Sequence, residues 1–471
     1  MSQYQALRAA LEPIHQGHLL EHLTSLEGDT RERFEAELHA IDWAEAGRLI
    51  RTHVQQRPEF PAPQRVEPAP MYPALPTPDL EPRYAEARRL GESLLRAGRV
   101  AVFTVAGGQG TRLGYDGPKG CYPATPLRGA PLFQVFAEAL IKAGQKYGVT
   151  PPWYVMTSPL NHGATVAFFE QQAWFGLDPA AVHVFPQAMM PAMDADTGRV
   201  LLAGEGRLAL SPNGHGGSLK ALHTSGALAD MRRRGVEHVS YIQVDNPLVK
   251  PIDPLFIGLH ASDNSEMSSK ALAKREPLEK VGNFCIADGQ LTVIEYSNMP
   301  DALAQQRDPD GGLAYNAGSI AIHLIAVDFV ERLNTSPGGF ALPWNRADKK
   351  VPHFDPQTGK TVRPDTPNAV KLETFVFDAI PLSRQAIVLE TLREEEFAPI
   401  KNADGADGVE VDDSPASSKR LQAQRGRRWL EAGGHAVDAD ATVELTHLAA
   451  ISTDDTSGLT LDQPVRDGTV V

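Results

Sequence analysis

A short apolar segment, Val100–Ala106, runs into the string Gly107-Gly108-Gln109-Gly110-Thr111-Arg112-Leu113-Gly114, and Gly117-Pro118-Lys119-Gly120 follows. β-Branched residues in a run of this length, stopped by paired glycines, predict a buried strand that ends in a turn. Glycines at such a place let successive backbone N–H groups converge on an anion with no Cβ in the way. Arg112 can pair with phosphate oxygens through its planar fork, and Lys119 supplies a mobile point charge. Two common phosphate loops do not fit. A Walker A loop needs Gly-Lys-Ser/Thr after a four-residue gap, and a dinucleotide fingerprint starting at Gly108 needs a third glycine where Leu113 stands. The bland alternative is a glycine-rich surface turn with stray basic residues. The length of the string and its place at the end of a first strand speak against it.

The chain beyond the loop alternates in type. Helical spacing over Leu132–Lys146, a strand at Trp153–Thr157, a helix near His162–Phe175 and a strand at Val182–Phe185 come first. A strong strand, Val239–Val244, then ends at Asp245. This order predicts a doubly wound, mostly parallel sheet with helices on both faces. Closer-spaced candidates at Ser269–Lys274, Leu291–Tyr296 and Ser319–Leu324 predict a mixed extension. Upstream, residues 1–57 carry helical periodicity, with Met1–His22 reading as an amphipathic helix. Nine prolines within residues 58–82 forbid regular helix and sheet and predict an extended strap. A helix at Arg83–Ala97 follows. From residue 398 the rhythm is lost, leaving a helix near Ser417–Ala432 and short alternating segments at Thr442–Leu445 and Leu459–Leu461. A chain of 471 residues exceeds one hydrophobic core. These changes of character predict a helical N-terminal domain with its strap over 1–98, a larger α/β domain over 99–397, and a small C-terminal domain over 398–471.

Composition excludes several classes. Hydrophobic residues at 42% and charged residues at 22% are an ordinary globular balance. No apolar run approaches the ~18–20 residues that span a bilayer, and the N-terminus lacks the apolar stretch of a signal peptide. Cys121 and Cys285 stand alone, outside any CxxC pair, which excludes a disulfide framework or a Cys-rich zinc site and suits a reducing, cytoplasmic setting. A formal charge of -14 speaks against nucleic-acid binding. It leaves nucleotide binding open, since a phosphate site needs only a few local donors and cations.

The glycine string also opens a longer series. Met156-Thr157-Ser158, Phe185-Pro186-Gln187, Pro212-Asn213-Gly214-His215-Gly216-Gly217, Val244-Asp245-Asn246 and Glu295-Tyr296-Ser297 follow it in order. Tyr315-Asn316-Ala317-Gly318, Lys371-Leu372-Glu373-Thr374-Phe375-Val376-Phe377-Asp378 and Pro399-Ile400-Lys401-Asn402 complete it. The series resembles the nucleotide-sugar pyrophosphorylases, and in this form the UDP-N-acetylhexosamine pyrophosphorylase branch of the UDP-sugar pyrophosphorylase (UDPGP type 1) family, over about residues 16–450. The resemblance implies a central Rossmann-like nucleotidyltransferase domain flanked by two smaller domains. It also implies Mg²⁺, with UTP and a sugar 1-phosphate as ligands, no nucleic-acid or membrane partner, and a monomer or weak homo-oligomer.

The chemistry of that reaction accounts for the residue types. A sugar 1-phosphate oxygen is already anionic near neutral pH, so attack on the α-phosphorus of UTP needs positioning and charge neutralisation rather than a general base. By resemblance, Arg112, Lys119 and Lys401 serve catalysis, and Val105, Ala106, Gly107, Gly108, Gln187, Gly214 and Lys371 hold UTP. Gln187 has an amide that can both donate to and accept from a uracil edge. Asp245, at the carboxyl edge of the sheet, is the expected metal ligand, because one carboxylate plus substrate phosphates is a usual Mg²⁺ site. Asp378 is a second carboxylate, for metal or for structure. His215, Gly282, Glu295, Asn316, Phe375 and Phe377 match sugar-contacting positions. Phe375 and Phe377, two apart on an expected strand, would present both rings on one face, where they could cover the methyl of an acetamido group. The Gly-His-Gly turn, with Asn213 and His215 in place of the branch's usual Asp and Asn, resembles UDP-glucose and broad UDP-sugar enzymes instead. Glu394–Glu396 reads as a solvated charge run. Guanylyl or adenylyl transfer shares the glycine loop but explains the Phe-Pro-Gln and Phe-Val-Phe-Asp strings less well. A nucleotide-sugar-binding regulator without turnover would not need Arg112, Lys119 and Asp245 together.

Overall fold

A computed structural model of the chain describes residues 2–58, 63–337, 339–406, 409–461 and 463–471, and the strand expected at Val100 lies inside its largest sheet. Val100–Val105 runs parallel to His238–Gln243 on one side and to Trp153–Thr157 on the other, and Val182–Pro186 continues the parallel run. Val100 to Phe103 and Trp153 to Met156 are all buried. Parallel strands covered by helices on both faces read as such unbroken apolar runs.

Beyond His238–Gln243 the sheet turns antiparallel. Ala317–Ala326 pairs there, then Asn283–Ala287, which holds Gln290–Ile294 and Val66–Pro68. Met267–Ala273 pairs antiparallel with Ala317–Ala326 and parallel with Ala386–Thr391, completing ten strands. This is the mixed α/β sheet with a parallel core that the alternation predicts. Within the proline-rich strap, residues 59–62 lie outside the described residues. The part at Val66–Pro68 is an edge strand, the one place in a sheet where prolines cost little.

Helices on the sheet follow their apolar faces. Leu132–Tyr147 buries Leu132, Phe133, Phe136 and Leu140 and stops at Gly148 in the left-handed region. Its Phe133 packs edge-on to Trp153 and Phe169. The helix expected through Phe175 ends earlier, at Gln171, because Ala173, Trp174 and Phe175 all take positive φ. The expected N-terminal helix is also broken: Gln3–Leu11 and Gly17–Ser25 are separate, divided by a short 3₁₀ turn with Pro13 and by His15 at φ 59°. Met1 is outside the described residues.

Contacts divide the chain into two compact units that do not follow the expected boundaries at 98/99 and 397/398. The smaller comprises Met1–Ala62, Gln187–Ser218 and Leu342–Val376; the larger comprises Pro63–Pro186, Leu219–Ala341 and Phe377–Val471. The reason is local pairing and packing. Met193–Asp194, Ala369–Glu373 and Asn345–Lys349 form one small sheet, and Met193, Val370 and Leu372 share a core with Leu11, Leu23, Phe34 and Leu49 of the N-terminal helices. In the larger unit, helix Pro415–Ala432, capped by Ser414, has a local core of Leu430, Ala441, Val443 and Val465. Val443–Glu444 pairs with Thr469–Val470, and no strand forms at Leu459–Leu461. No helix among the described residues is long and apolar enough to cross a membrane.

Candidate active site

The glycine string is a loop folded on itself. Gly110 N–H donates to the Gly117 carbonyl at 2.9 Å and Lys119 N–H to the Gly108 carbonyl at 3.1 Å. These bonds bridge Gln109 to Pro118, and Arg112 sits in the single 3₁₀ turn between them, exposed. Gly110 has a steric reason: a Cβ there would stand 2.8 Å from the Tyr115 ring. Among the described residues, none of the loop's own backbone hydrogen bonds uses the N–H of Gly107, Gly108 or Gln109. Those donors follow the half-buried Val105 and the buried Ala106 at the strand end, the arrangement expected for an anion cradle.

Asp245 ends the neighbouring strand, where Val244 N–H still donates to the Val105 carbonyl at 3.1 Å. Its carboxylate is 3.4 Å from the Lys119 ammonium, so the loop cation and the edge carboxylate neutralise each other. Asp245 also lines a cavity of about 170 Å³ with Gly282, Glu295 and Lys401. Burial raises the Glu295 carboxyl above its ordinary value. Gly282 is required beside it, since a Cβ would come within 2.6 Å of Val293 and 3.5 Å of the Glu295 Oε1. The Lys401 ammonium is 3.6 Å from Asp413 and 5.2 Å from the centre of the Phe397 ring. Asn316 is not among the cavity-lining residues. Its Oδ1 accepts the Lys274 N–H at 2.8 Å.

The smaller unit holds the remaining candidates except Phe377. Gln187 is buried. Gly214, at φ 83°, presses on the Thr374 backbone so closely that a Cβ would meet its carbonyl oxygen at 2.3 Å. Asn213 O accepts the Thr374 N–H at 2.9 Å, and Gly216 N–H donates to the Thr374 carbonyl at 2.8 Å. The turn is therefore zipped to the Phe375 segment. His215 completes it: its ring lies 5.4 Å from Phe375, and its Nδ1 accepts the Val376 N–H at 3.1 Å. Burial lowers the imidazole to about 4, so it stays neutral at physiological pH. Lys371 sits on strand Ala369–Glu373, opposite Ala347.

That strand stops at Glu373, and Val376–Leu382 is 3₁₀ helix. The expectation that Phe375 and Phe377 share one strand face therefore fails: the period-two rule does not apply across a strand end. Val376 closes the smaller unit and Phe377 opens the larger. The charge run is corrected too. Only Glu394 is exposed, while Glu396 is 1% exposed and paired with Lys270 at 2.5 Å.

Comparison with known proteins decides the family. Residues 62–427 match the model of the UTP–glucose-1-phosphate uridylyltransferase family. The human UDP-N-acetylhexosamine pyrophosphorylase-like protein 1 is 38% identical over 93% of this chain and 88% of its own. The chain belongs to the UDP-sugar pyrophosphorylase family, in its UDP-N-acetylhexosamine branch. The UDP-N-acetylglucosamine pyrophosphorylase of Saccharomyces cerevisiae is 38% identical, covering 76% of this chain and 75% of that one. The uridine diphosphate N-acetylglucosamine pyrophosphorylase of Trypanosoma brucei superposes with a TM-score of 0.83 at 26% identity, over 97% of this chain and 95% of that one.

Within this pyrophosphorylase frame, Asn161 is the site residue that sequence reasoning missed. Buried at 1% exposure, it donates through Nδ2 to the carbonyls of Ala106 and Gly108 at 3.0 and 3.2 Å. Its Oδ1 accepts from Ser158 N–H and Oγ–H. The signal was present, three residues beyond the Met156-Thr157-Ser158 motif. The donor set also bears on metal. Among the described residues no cluster of three or more His, Cys, Asp or Glu could hold an ion by itself. A lone edge carboxylate at Asp245 suits Mg²⁺, which keeps waters and takes one or two carboxylates plus substrate phosphates.

Proposed function

We propose that this chain joins UTP to N-acetylglucosamine 1-phosphate, releasing UDP-N-acetylglucosamine and pyrophosphate. A phosphate oxygen of the sugar attacks the α-phosphorus of UTP, the new P–O bond forms, and the bond to the β-phosphate oxygen breaks. The observation that carries this reading is the cavity where Asp245, Lys401, Glu295 and Gly282 meet, with Lys119 of the glycine loop paired to Asp245. Family membership and the relatives named for this reaction support it.

Each residue then has a task. The N–H groups of Gly107 and Gly108 and the side chain of Arg112 take the triphosphate, and Gln187 reads the uracil. Lys119 and Lys401 neutralise charge on the transferring phosphoryl group and the departing pyrophosphate. Glu295, Gly282 and Asn316 orient the sugar, and the zipped turn at His215 holds Phe375 in place. Asp245 would hold Mg²⁺, which supplies further neutralisation of the phosphates when bound. Two buried free cysteines support a cytoplasmic setting.

A second reading, glucose 1-phosphate as preferred substrate or as one of several, is favoured by His215 in the Gly-His-Gly turn. Pyrophosphate release with UTP and a panel of sugar 1-phosphates decides between them. The acetamido sugar should lead by kcat/KM, by about 10–200-fold at most, since one methyl in a pocket is worth only ~1–3 kcal/mol. Asp245→Ala should lose at least ~100-fold in kcat, the scale of a principal electrostatic contribution. A glucose 1-phosphate preference overturns the choice of sugar, and a near-normal Asp245→Ala enzyme overturns the metal assignment.

A further inference from the structure

Glu396, next in the chain to the cavity-lining Phe397, belongs to an ion cluster that the reaction does not touch. Lys270, on the Met267–Ala273 strand, is 1% exposed. Its ammonium is 2.6 Å from Asp253 and 2.5 Å from Glu396. Burial opposes the lysine charge, but the two carboxylates outweigh it and hold Lys270 above its ordinary value. Glu396 is saturated with donors: its carboxylate also accepts from Thr391 Oγ–H at 2.7 Å and from Lys250 N–H at 3.3 Å. Burying Lys270 and Glu396 beside a half-buried Asp253 is expensive, and replacing such a cluster with apolar residues is often neutral or stabilising. Stability alone therefore gives little reason for it.

Its connections supply a better reason. The Glu396 carbonyl accepts from Asn246 Nδ2 at 2.7 Å, and Asn246 Oδ1 accepts the Ala398 N–H at 3.0 Å. Two residues on, Ile400 N–H donates to the Asp245 carbonyl at 2.8 Å. Three hydrogen bonds thus lay the 396–400 segment along Asp245-Asn246, and the next residue is Lys401. The end of this ladder is fixed to the sheet through Lys270 and to the cap of helix Pro254–Ser262 through Asp253, whose Oδ1 takes the Leu255 N–H at 3.1 Å.

We propose that Glu396 and Asn246 are positioning residues that set the distance between the Asp245 carboxylate and the Lys401 ammonium, with Lys270 as the anchor of the device. The inference rests on the assignment of Asp245 and Lys401 to the phosphates. These two groups come from chain segments more than 150 positions apart, on a strand end and a loop. Ser418 and Asp413 also brace the segment, through the Ala398 carbonyl and the Lys401 N–H, but it is the clamp that ties it to Asp245-Asn246. A displacement near 1 Å is enough to cost about 100-fold in turnover.

The test separates positioning from folding. Asn246→Asp keeps size and the bond from Ala398 but cannot donate to the Glu396 carbonyl. Glu396→Ala frees the segment from Lys270, while Glu396→Gln retains an acceptor for Lys270 and a partner for Thr391. The expected result is a fall in kcat of about 10-fold or more for Asn246→Asp and Glu396→Ala, with Glu396→Gln recovering most of it. The Kd for UTP, measured by calorimetry, should move less than about 3-fold, because the glycine loop is untouched. These ranges follow from misplacement acting on the reacting geometry alone. Wild-type kcat in folded Asn246→Asp and Glu396→Ala, or equal losses in kcat and UTP affinity, overturns the proposal. Asp245→Ala and Lys401→Ala run alongside as controls. If those two keep wild-type turnover, the underlying assignment falls; if they lose it while the clamp variants do not, only the positioning role falls.

Discussion

Replacing Asn161 tests whether the phosphate loop is held from beneath. Its buried amide makes four hydrogen bonds, two to the carbonyls of Ala106 and Gly108 and two from Ser158. Asn161→Ala leaves the Ala106 carbonyl, one N–H and one hydroxyl to find partners, while the Gly108 carbonyl keeps the Lys119 N–H. A buried polar group left unpaired costs about 1–3 kcal/mol. Water entry and relaxation offset part of the sum, so a net destabilisation of about 3 kcal/mol is expected. At roughly 2 °C per kcal/mol for a large unit, Tm should drop by about 6 °C. Asn161→Asp is the sharper probe because it preserves volume and the bonds from Ser158. It sets a second oxygen where Nδ2 stood, 3.0 and 3.2 Å from two carbonyl oxygens. The loop must retreat or the carboxyl must protonate, and any remaining charge repels a triphosphate. We expect kcat/KM to fall about 10-fold for Ala and about 100-fold for Asp, within the range for misaligned phosphate donors. Thermal unfolding and steady-state pyrophosphate release measure the two effects. If both variants melt within about 1 °C of wild type and keep their kcat/KM, the support argued from these distances is refuted.

Two further outcomes concern charge. Arg112→Ala should lower kcat and kcat/KM alike, and Arg112→Lys should rescue poorly because the fork geometry is lost; a raised KM alone would make Arg112 a ground-state binder. His447 is pushed down to about 3 by burial and by Arg425 and Arg128, and its Nε2 lies 3.2 Å from the Arg425 guanidinium, an acceptor contact that needs the neutral ring. With an unfolded value of about 6.5, this histidine's contribution to stability is complete above pH ~6.5 and is lost as pH falls toward 3. Acid unfolding of His447→Gln should therefore take up about one proton fewer than wild type, and identical acid profiles would refute the neutral ring.

The sheet was legible because its strands are short apolar runs with β-branched residues, the Val100 run stopped by glycine and the Val239 run by aspartate, so Val100, Trp153, Val182 and Val239 each announce an element. The division into units was not legible, because it depends on pairing over long sequence separations. Met193–Asp194 lies far along the chain from the N-terminal helices whose core it joins, and no local pattern encodes that. Breaks were hidden for a different reason: the left-handed residues Trp174 and Phe175 pack their rings on Phe169 of the core, and the exposed His15 closes the short turn through its N–H to the Glu12 carbonyl.

The candidate site divides along the same line. Residues proposed to carry the chemistry through their side chains, Arg112, Lys119, Asp245 and Lys401, stand out by type and place. Those that act through the backbone do not. Asn161 holds two carbonyls of the glycine loop, and Asn246 holds two backbone groups of the Lys401 segment. An asparagine is suited to that task, because one amide can accept and donate at once without adding charge beside a phosphate site. Glutamate at 396 was misread for the converse reason. In a run of three acids, sequence cannot tell which one turns inward, and only the buried Lys270 on a distant strand makes burial of Glu396 affordable. The electrostatics of this protein thus have two layers. In the proposed reaction, exposed and half-buried cations neutralise the charge of the phosphates. The paired cluster of Lys270, Glu396 and Asp253 is proposed to keep the scaffold from following the ligand's charge. Cations that were themselves buried and saturated could not release to a phosphate, and a clamp built from exposed ion pairs would be screened by solvent and too weak to fix a distance.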